Sequence, residues 1–296
     1  MLSINNNLMS LTVSNNLNNA YSDLAVSTRR LSSGLRITQS SDDAAGNAVS
    51  QLQLADIASL NQGVRNANDG VSMLQTADGA LGVSDTILIR MKELATQAAT
   101  GTYTSSQRLI IDSEYQAMAS EITRIASATQ FNGIYLLNGN LSSTTSSTAG
   151  LTSSGKLKIH FGITNNSAED YYYVQIGSCT ASSLGVGLAA GTSATGASIS
   201  TQSLAEGALA AINNAITSKD KIRADLGALE NRLADTVQNL TIQGQNEQAA
   251  QSQIADVNVA TEMTNFVRAQ ILVQSSVAML SQANSMPKMA LQLLQG

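Results

Sequence analysis

The chain has 296 residues, a net charge of −5, one histidine, one cysteine, one proline and no tryptophan, and aromatics make up 3%. Aromatic side chains dominate most compact cores and ligand pockets, so this composition argues against a compact enzyme. It favours thin layers of Leu, Ile, Val, Met and Ala, as in helical bundles. Charged residues reach only 12%, against roughly 25% in ordinary soluble domains, and the acidic balance leaves no basic footprint for nucleic acid.

Asn, Gln, Ser and Thr supply the polarity instead, and neighbours can cover such a surface at a smaller desolvation cost than charge would impose. Cys179 has no partner for an intrachain disulfide. The opening Met1-Leu2-Ser3-Ile4-Asn5-Asn6-Asn7 lacks the basic segment and apolar run of a secretory leader. No stretch reaches the ~20 apolar residues of a membrane span.

The first predicted helix runs from about Ile4 to Leu35, with Leu17, Leu24 and Leu31 seven apart and Ala20 and Ser27 between them. After a polar turn at Thr38–Ser41, Asp42 and Asp43 open a second helix, with Ser41 as its expected cap. That helix carries a heptad through Ile57, Leu60, Val64, Ala67, Val71 and Leu74, continuing through Leu81, Leu88, Met91, Leu94 and Ala98. Gly63, Gly70, Gly79 and Gly82 lie inside it, which suits close approach of a neighbour. A turn at Gly101–Thr104 precedes a shorter returning helix, Ser105 to Ala128, whose predicted buried side is Ile110, Ile111, Met118, Ile122 and Ile125.

From Leu141 to about Thr201 the chain turns to Ser, Thr and Gly around two alternating runs, Lys156–Phe161 and Tyr171–Ile176, which read as a β-hairpin or small β-subdomain on loops. Helix resumes near Gln202, and Ile222, Leu226, Leu229, Leu233, Thr236 and Leu240 repeat a 4, 3 spacing. The Gln-rich stretch Gln243–Gln253 reads as a joint before the terminal helix, whose apolar residues include Ile254, Val257, Met263, Val267, Ile271 and Leu280. Apolar seams at both chain ends have to be buried against each other or against another subunit. The fold class is mainly α: a long antiparallel helical bundle or coiled coil from both chain ends, with a small β-hairpin insertion.

Candidate chemistry is sparse. His160, the only histidine, excludes any site that needs two, including the HExxH zinc pattern, and reads as an exposed strand residue. Cys179 reads as inert, because no His, Lys or Arg lies near it in sequence. Gly185–Gly191 lacks the spacing of a nucleotide loop and reads as a connector. Tyr171–Tyr173 could stack on sugars or partners, but strand propensity explains the run equally well. Sequons at Asn140, Asn165 and Asn239 could carry glycans, but bare solvated loops are the default reading, and Asn239 lies in a helical seam where a glycan would not fit. No catalytic constellation, metal site or cofactor site is expected.

Local sequences are more specific. Leu31-Ser32-Ser33-Gly34-Leu35-Arg36-Ile37, Asp42-Asp43-Ala44-Ala45-Gly46, the segment from Ser59 to Gly70, Gln75–Leu81 and Thr129-Gln130-Phe131-Asn132-Gly133 resemble the N-terminal region of bacterial flagellin. Ala260-Thr261-Glu262-Met263, Ala278–Asn284 and the Leu291–Leu294 terminus resemble its C-terminal helix. The resemblance covers roughly residues 1–140 and 202–296. It implies a structural, non-enzymatic subunit that polymerises into the flagellar filament for motility, found outside the cell.

The same resemblance implies a terminal coiled-coil domain of residues 1–42 plus 255–296, a helical rod domain of 43–140 plus 202–254, and a short variable segment, 141–201, at the outer surface. The implied self-assembly seams are Leu17, Leu24, Leu31, Ile57, Leu60, Val64, Val71, Leu74, Leu226, Leu229, Leu233, Leu240, Met263, Val267, Ile271 and Leu280. The implied partners are further copies of the chain, the flagellar export chaperone and type III export apparatus, and the filament cap and hook-associated proteins. Ile89–Gln97 also resembles the segment bound by the vertebrate Toll-like receptor for flagellin, which implies recognition of Arg90, Leu94 and Glu114. The competing readings are a hook–filament junction protein, a lectin or enzyme carried in residues 141–201, and a cytoplasmic coiled-coil adaptor.

Overall fold

A computed structural model describes residues 7–142, 155–167, 169–187 and 196–295, excluding the side chains of 287, 288 and 290–295. Ile4, the second half of the Gly185–Gly191 run and the Leu291–Leu294 side chains lie outside that description. The element order is α1 (Leu8–Ser33), α2 (Ala44–Ala99), α3 (Ser105–Ala128), β1 (Gln130–Phe131), β2 (Ile134–Tyr135), β3 (Leu157–His160), β4 (Tyr171–Val174), α4 (Gln202–Ala255) and α5 (Val259–Gln295). The chain is mainly α with two small antiparallel strand pairs, β1–β2 and β3–β4. It divides into two compact units, residues 1–57 with 245–296 and residues 58–244.

In the first unit α1 packs antiparallel on α5. Asn7 caps α1 by accepting the Ser10 N–H and donates from Nδ2 to the Ala283 carbonyl at 2.8 Å. Gly34 ends α1 in the left-handed region, φ 73°, where a glycine carries no Cβ penalty. The α1–α2 connection is tied to the α4–α5 junction: Arg36 N–H donates to the Ala255 carbonyl at 2.7 Å, and its guanidinium bonds the Ile254 carbonyl. Asp43, not Ser41, caps α2, because its Oδ1 accepts the Gly46 N–H at 2.9 Å. Asp42 instead closes the preceding turn onto Thr38 and Gln39, and those hydrogen bonds, Thr38 first, hold its carboxyl below the usual range.

The Gln-rich stretch is not a joint. Helix α4 runs through it unbroken, since Gln has good helix propensity. The break falls at Asp256–Asn258, where Asn258 Oδ1 accepts the Thr261 N–H and starts α5.

In the second unit α2, α3 and α4 enclose two apolar clusters. One gathers Leu60, Leu74 and Leu81 of α2 with Leu226, Leu233 and Leu240 of α4. The other gathers Leu88, Met91 and Leu94 with Tyr115 and Ile122 of α3 and Ile212 of α4. Between them, Ser84 and Lys219 are buried in the two seams, and Lys219 pairs with Asp85 and, at 2.7 Å, with Asp220. Arg223 lies beside this layer and donates from Nε to Asp78 at 2.7 Å. The buried side of α3 is Tyr115, Ala119, Ile122 and Ala126, whereas Ile110 is exposed and Ile111, Met118 and Ile125 are half-buried.

The β3–β4 hairpin does not stand on loops. Its inner residues Ile159, Phe161, Val174 and Ile176 are buried in the first cluster against α2 and α4. Gly63 and Gly70 make this possible: a Cβ at Gly63 would collide with the Phe161 carbonyl, and one at Gly70 would lie 2.6 Å from Ile159 Cδ1. Gly79 and Gly82 face open space, so close approach accounts for only two of the four helical glycines. The buried Asp170 carboxylate organises the hairpin loop by accepting from the Thr164 hydroxyl and from the Asn166 N–H.

Candidate functional site

The α1–α5 pair is the first place to look for assembly. Along α1 the side turned to α5 runs Leu17, Ala20, Leu24, Ser27 and Leu31, a 3, 4, 3, 4 spacing. Ala20 and Ser27 are buried, and the three leucines are half-buried. Along α5 the side turned inward steps through Glu262, Phe266, Ala269, Val273, Ser276, Leu280 and Ala283. Of these, Glu262, Ala269, Val273 and Ala283 are buried. The small residues let the helix axes approach, and the larger ones pack beside them.

This register differs from the one the apolar residues suggest. Leu280 belongs to the paired side, but Met263, Val267 and Ile271 are exposed, at 44%, 44% and 56%. Val259, Leu272, Val277 and Met279 are exposed as well. Helix α5 carries apolar residues on more than one side, so periodicity alone does not pick the side that meets α1. Glu262 was missed for the same reason: a carboxylate at a seam position does not register as apolar pattern. Arg30 is its partner at 3.9 Å.

The seams of the second unit follow the sequence closely. Leu60, Leu74, Leu226, Leu233 and Leu240 are buried, and Val64, Val71 and Leu229 are half-buried, while Ile57, in the first unit, is half-buried too. These residues pack within the chain. Lys219 continues the α4 seam three residues before Ile222 and was not legible as core, because lysine is almost never fully buried unless paired.

Arg90 and Glu114 come together: the Arg90 Nη2 meets Glu114 Oε1 at 2.8 Å, and Nη1 meets Glu93 at 3.0 Å. The Glu114 hydrogen bond, then that of Glu93, raises the Arg90 pKa further. All three side chains are half or more exposed to solvent or nearly so, whereas Leu94 is 2% exposed and packs in the second apolar cluster. Leu94 is therefore not part of the surface that Arg90 and Glu114 form.

The residues with conventional chemistry are occupied structurally. His160 is half-buried rather than exposed, its Nε2 lies 2.8 Å from the Thr164 carbonyl, and its ring stacks near Tyr171. Cys179 is buried, and burial pushes its thiol up to about 11, far from a nucleophile's range. No group of three metal-ligating side chains occurs among the described residues. No helix among them is long and apolar enough to cross a membrane.

Comparison with known proteins agrees with an assembling chain. The sequence model of the bacterial flagellin N-terminal helical region matches residues 4–142, and that of the bacterial flagellin C-terminal helical region matches residues 209–294. The flagellar filament core protein flaB2 of Brachyspira hyodysenteriae is 38% identical over 292 residues, covering 99% of both chains. A flagellin of Bacillus subtilis is 37% identical over 307 residues, covering 98% of this chain and 99% of its own. A solved chain described as a flagellar hook-associated protein from Vibrio parahaemolyticus shares the fold, with TM-score 0.56 at 14% identity, over 73% of this chain and 100% of its own.

Proposed function

The chain belongs to the bacterial flagellin family, and from that premise we propose that it polymerises through its terminal helices into the filament used for swimming. It is a structural subunit of the flagellar filament, not an enzyme. The observation that carries the mechanism is α5. One side of this helix is sealed against α1, while Met263, Val267 and Ile271 form a second apolar side that is exposed among the described residues. An apolar stripe of that kind marks an interaction surface, and repetition of a head-to-tail contact between identical copies yields a helical polymer.

In this reading residues 1–42 with 255–296 are the polymerisation segment, 43–140 with 202–254 the helical rod, and 141–201 the variable segment. The low charge and uncovered apolar residues of the ends support export in an unfolded state through the type III apparatus, with a chaperone covering the C-terminal helix and ordering completed on assembly outside the cell. Cap and hook-associated proteins would meet the same terminal helices. For the vertebrate Toll-like receptor, the exposed Arg90–Glu114 pair is the accessible feature, and Leu94 would contribute only through rearrangement.

The test is electron microscopy of the full-length protein seeded with filament fragments, beside a version trimmed to residues 44–254. Long filaments from the full-length protein alone are expected. Closed rings or discrete oligomers would instead support a junction role.

A further inference from the structure

One groove in the second unit has no part in the helix seams. It encloses about 360 Å³ between α2, the β1–β2 turn and β3. Its floor is apolar, formed by Met73, Phe131, Ile134 and Leu157. Its rim is polar, with Asp69 from α2, Asn132 from the turn, and Lys158 and His160 from β3. An apolar floor with an aromatic ring and a few convergent polar groups is the usual make-up of a small-molecule site.

The rim is held in place by contacts outside the groove. Asn132 and Gly133 sit at φ 49° and 80°, the two-residue Asn-Gly turn that a tight hairpin requires. The Lys158 ammonium lies 3.6 Å from the Tyr171 ring centroid and donates to Asn165 Oδ1 at 2.9 Å. The His160 carbonyl accepts from Asn66 Nδ2 at 2.8 Å, which fixes β3 to α2 beside the groove. The Asp69 and Asn132 side chains, by contrast, make no hydrogen bond or ion pair among the described residues. A carboxylate and an amide thus line one groove with their hydrogen-bonding capacity unused, while the Lys158 ammonium is engaged outside it by Tyr171 and Asn165.

We infer that this groove binds one residue of a neutral saccharide, with an apolar face of the pyranose on Phe131 and adjacent hydroxyls bridging the Asp69 carboxylate and the Asn132 amide. A vicinal diol supplies a donor and an acceptor side by side, which matches a carboxylate that accepts and an amide that donates on one rim. Hydrogen bonds to both groups, charge-assisted at the carboxylate, give the orientation, and the aromatic floor gives the contact area. A free carboxylate on the sugar would meet Asp69, so uronic acids are disfavoured. The site is shallow, so a single residue binds in the range of about 1–10 mM, and repetition along a polymer would raise the effective affinity. This inference does not depend on polymerisation, and the test below separates the two.

The test is saturation-transfer NMR on the unpolymerised full-length protein with methyl glycosides of glucose, galactose, mannose and N-acetylglucosamine, titrated beside methyl glucuronide and leucine. At least one neutral glycoside is expected to bind. Asp69→Asn should weaken it at least about tenfold and Phe131→Leu at least about threefold, with circular dichroism unchanged. Tyr173→Ala, outside the groove, should leave binding as it is. Silence of every glycoside up to about 100 mM would overturn the proposal, since that is weaker than the ~4 kcal/mol of a millimolar site. Binding that Asp69→Asn and Phe131→Leu both leave intact would overturn it too, as would binding of glucuronide or leucine with the neutral glycosides silent.

Discussion

The Lys219 ammonium sits 1% exposed in the α4 seam, paired across to the Asp85 carboxylate of α2, while Asp85 itself is 32% exposed. Burial is therefore unequal in this ion pair: the cation has left water and its partners, Asp85 and Asp220, have not. The two ways of breaking it should differ. In Lys219→Met the released carboxylates are already hydrated and the apolar seam becomes continuous from Ala215 to Leu226. Stability by urea unfolding should be unchanged or raised by about 1 kcal/mol. The double variant Asp85→Ala, Asp220→Ala strands a buried ammonium and should cost about 3–5 kcal/mol. Equal losses in both would mean that the layer is hydrated and that Lys219 is not effectively buried.

Arg223 and Asp78 sit beside this layer and give it a dependence on pH. The Arg223 hydrogen bond, ahead of its charge, holds the Asp78 carboxyl below the ordinary value of 3.8. A carboxyl depressed on folding stabilises above its unfolded pKa, and the contribution disappears as pH falls through the folded value. Both side chains are more than a third exposed, so solvent screening limits the effect to less than about 1 kcal/mol. The difference in unfolding free energy between the parent and Asp78→Asn should be present at pH 7 and shrink as the pH falls below the ordinary carboxyl value of 3.8. A difference that persists at acid pH would point to packing and not to charge.

The helical glycines divide into two kinds. Gly79 faces open space, so Gly79→Ala should gain about 0.5–1 kcal/mol of helix stability. Gly63 lies against the Phe161 backbone, which cannot swing aside as a side-chain tip can, so Gly63→Ala should cost about 1–3 kcal/mol and loosen the β3–β4 hairpin. Melting temperatures of the two variants, with hydrogen exchange at the β3 amides, would check both signs.

What could be read from the sequence tracks how local the determining physics is. The α2 and α4 seams were legible because Leu and Val recur at 3 and 4 spacing with polar residues elsewhere, as at Leu226, Leu233 and Leu240. The start of α2 was local enough to place within two residues, with Asp43 capping it where Ser41 was expected. What a glycine faces is a tertiary fact, so Gly63 and Gly79 looked alike. The burial of Leu94 agrees with its place in the α2 heptad and not with a surface shared with Arg90: four residues advance a helix by about 40° beyond a full turn, enough to cross the border between surface and core. In the candidate groove, Asp69 and Phe131 are 62 positions apart, and only the fold of the second unit brings them to one cavity.

Helix α5 offers the sharpest separation of folding from assembly, because neighbouring apolar positions on it have different partners. Val273 is buried on the side that meets α1, and Ile271 is exposed. Val273→Asp would bury a charge without a partner, so loss of the α1–α5 pairing and of polymerisation together is expected. Ile271→Asp places the same charge in water within the chain. The helical content and the Asn7–Ala283 tie should survive, and the concentration needed for seeded growth should rise at least about tenfold, which corresponds to 1.4 kcal/mol per contact. Sedimentation of the polymer against monomer concentration reads the second effect, and circular dichroism the first. If Ile271→Asp polymerised like the parent, the Met263–Val267–Ile271 side of α5 would face solvent in the filament as well, and assembly would rest on other exposed apolar residues, such as Leu272 and Val277 of α5 or Leu8, Met9, Leu11 and Tyr21 of α1.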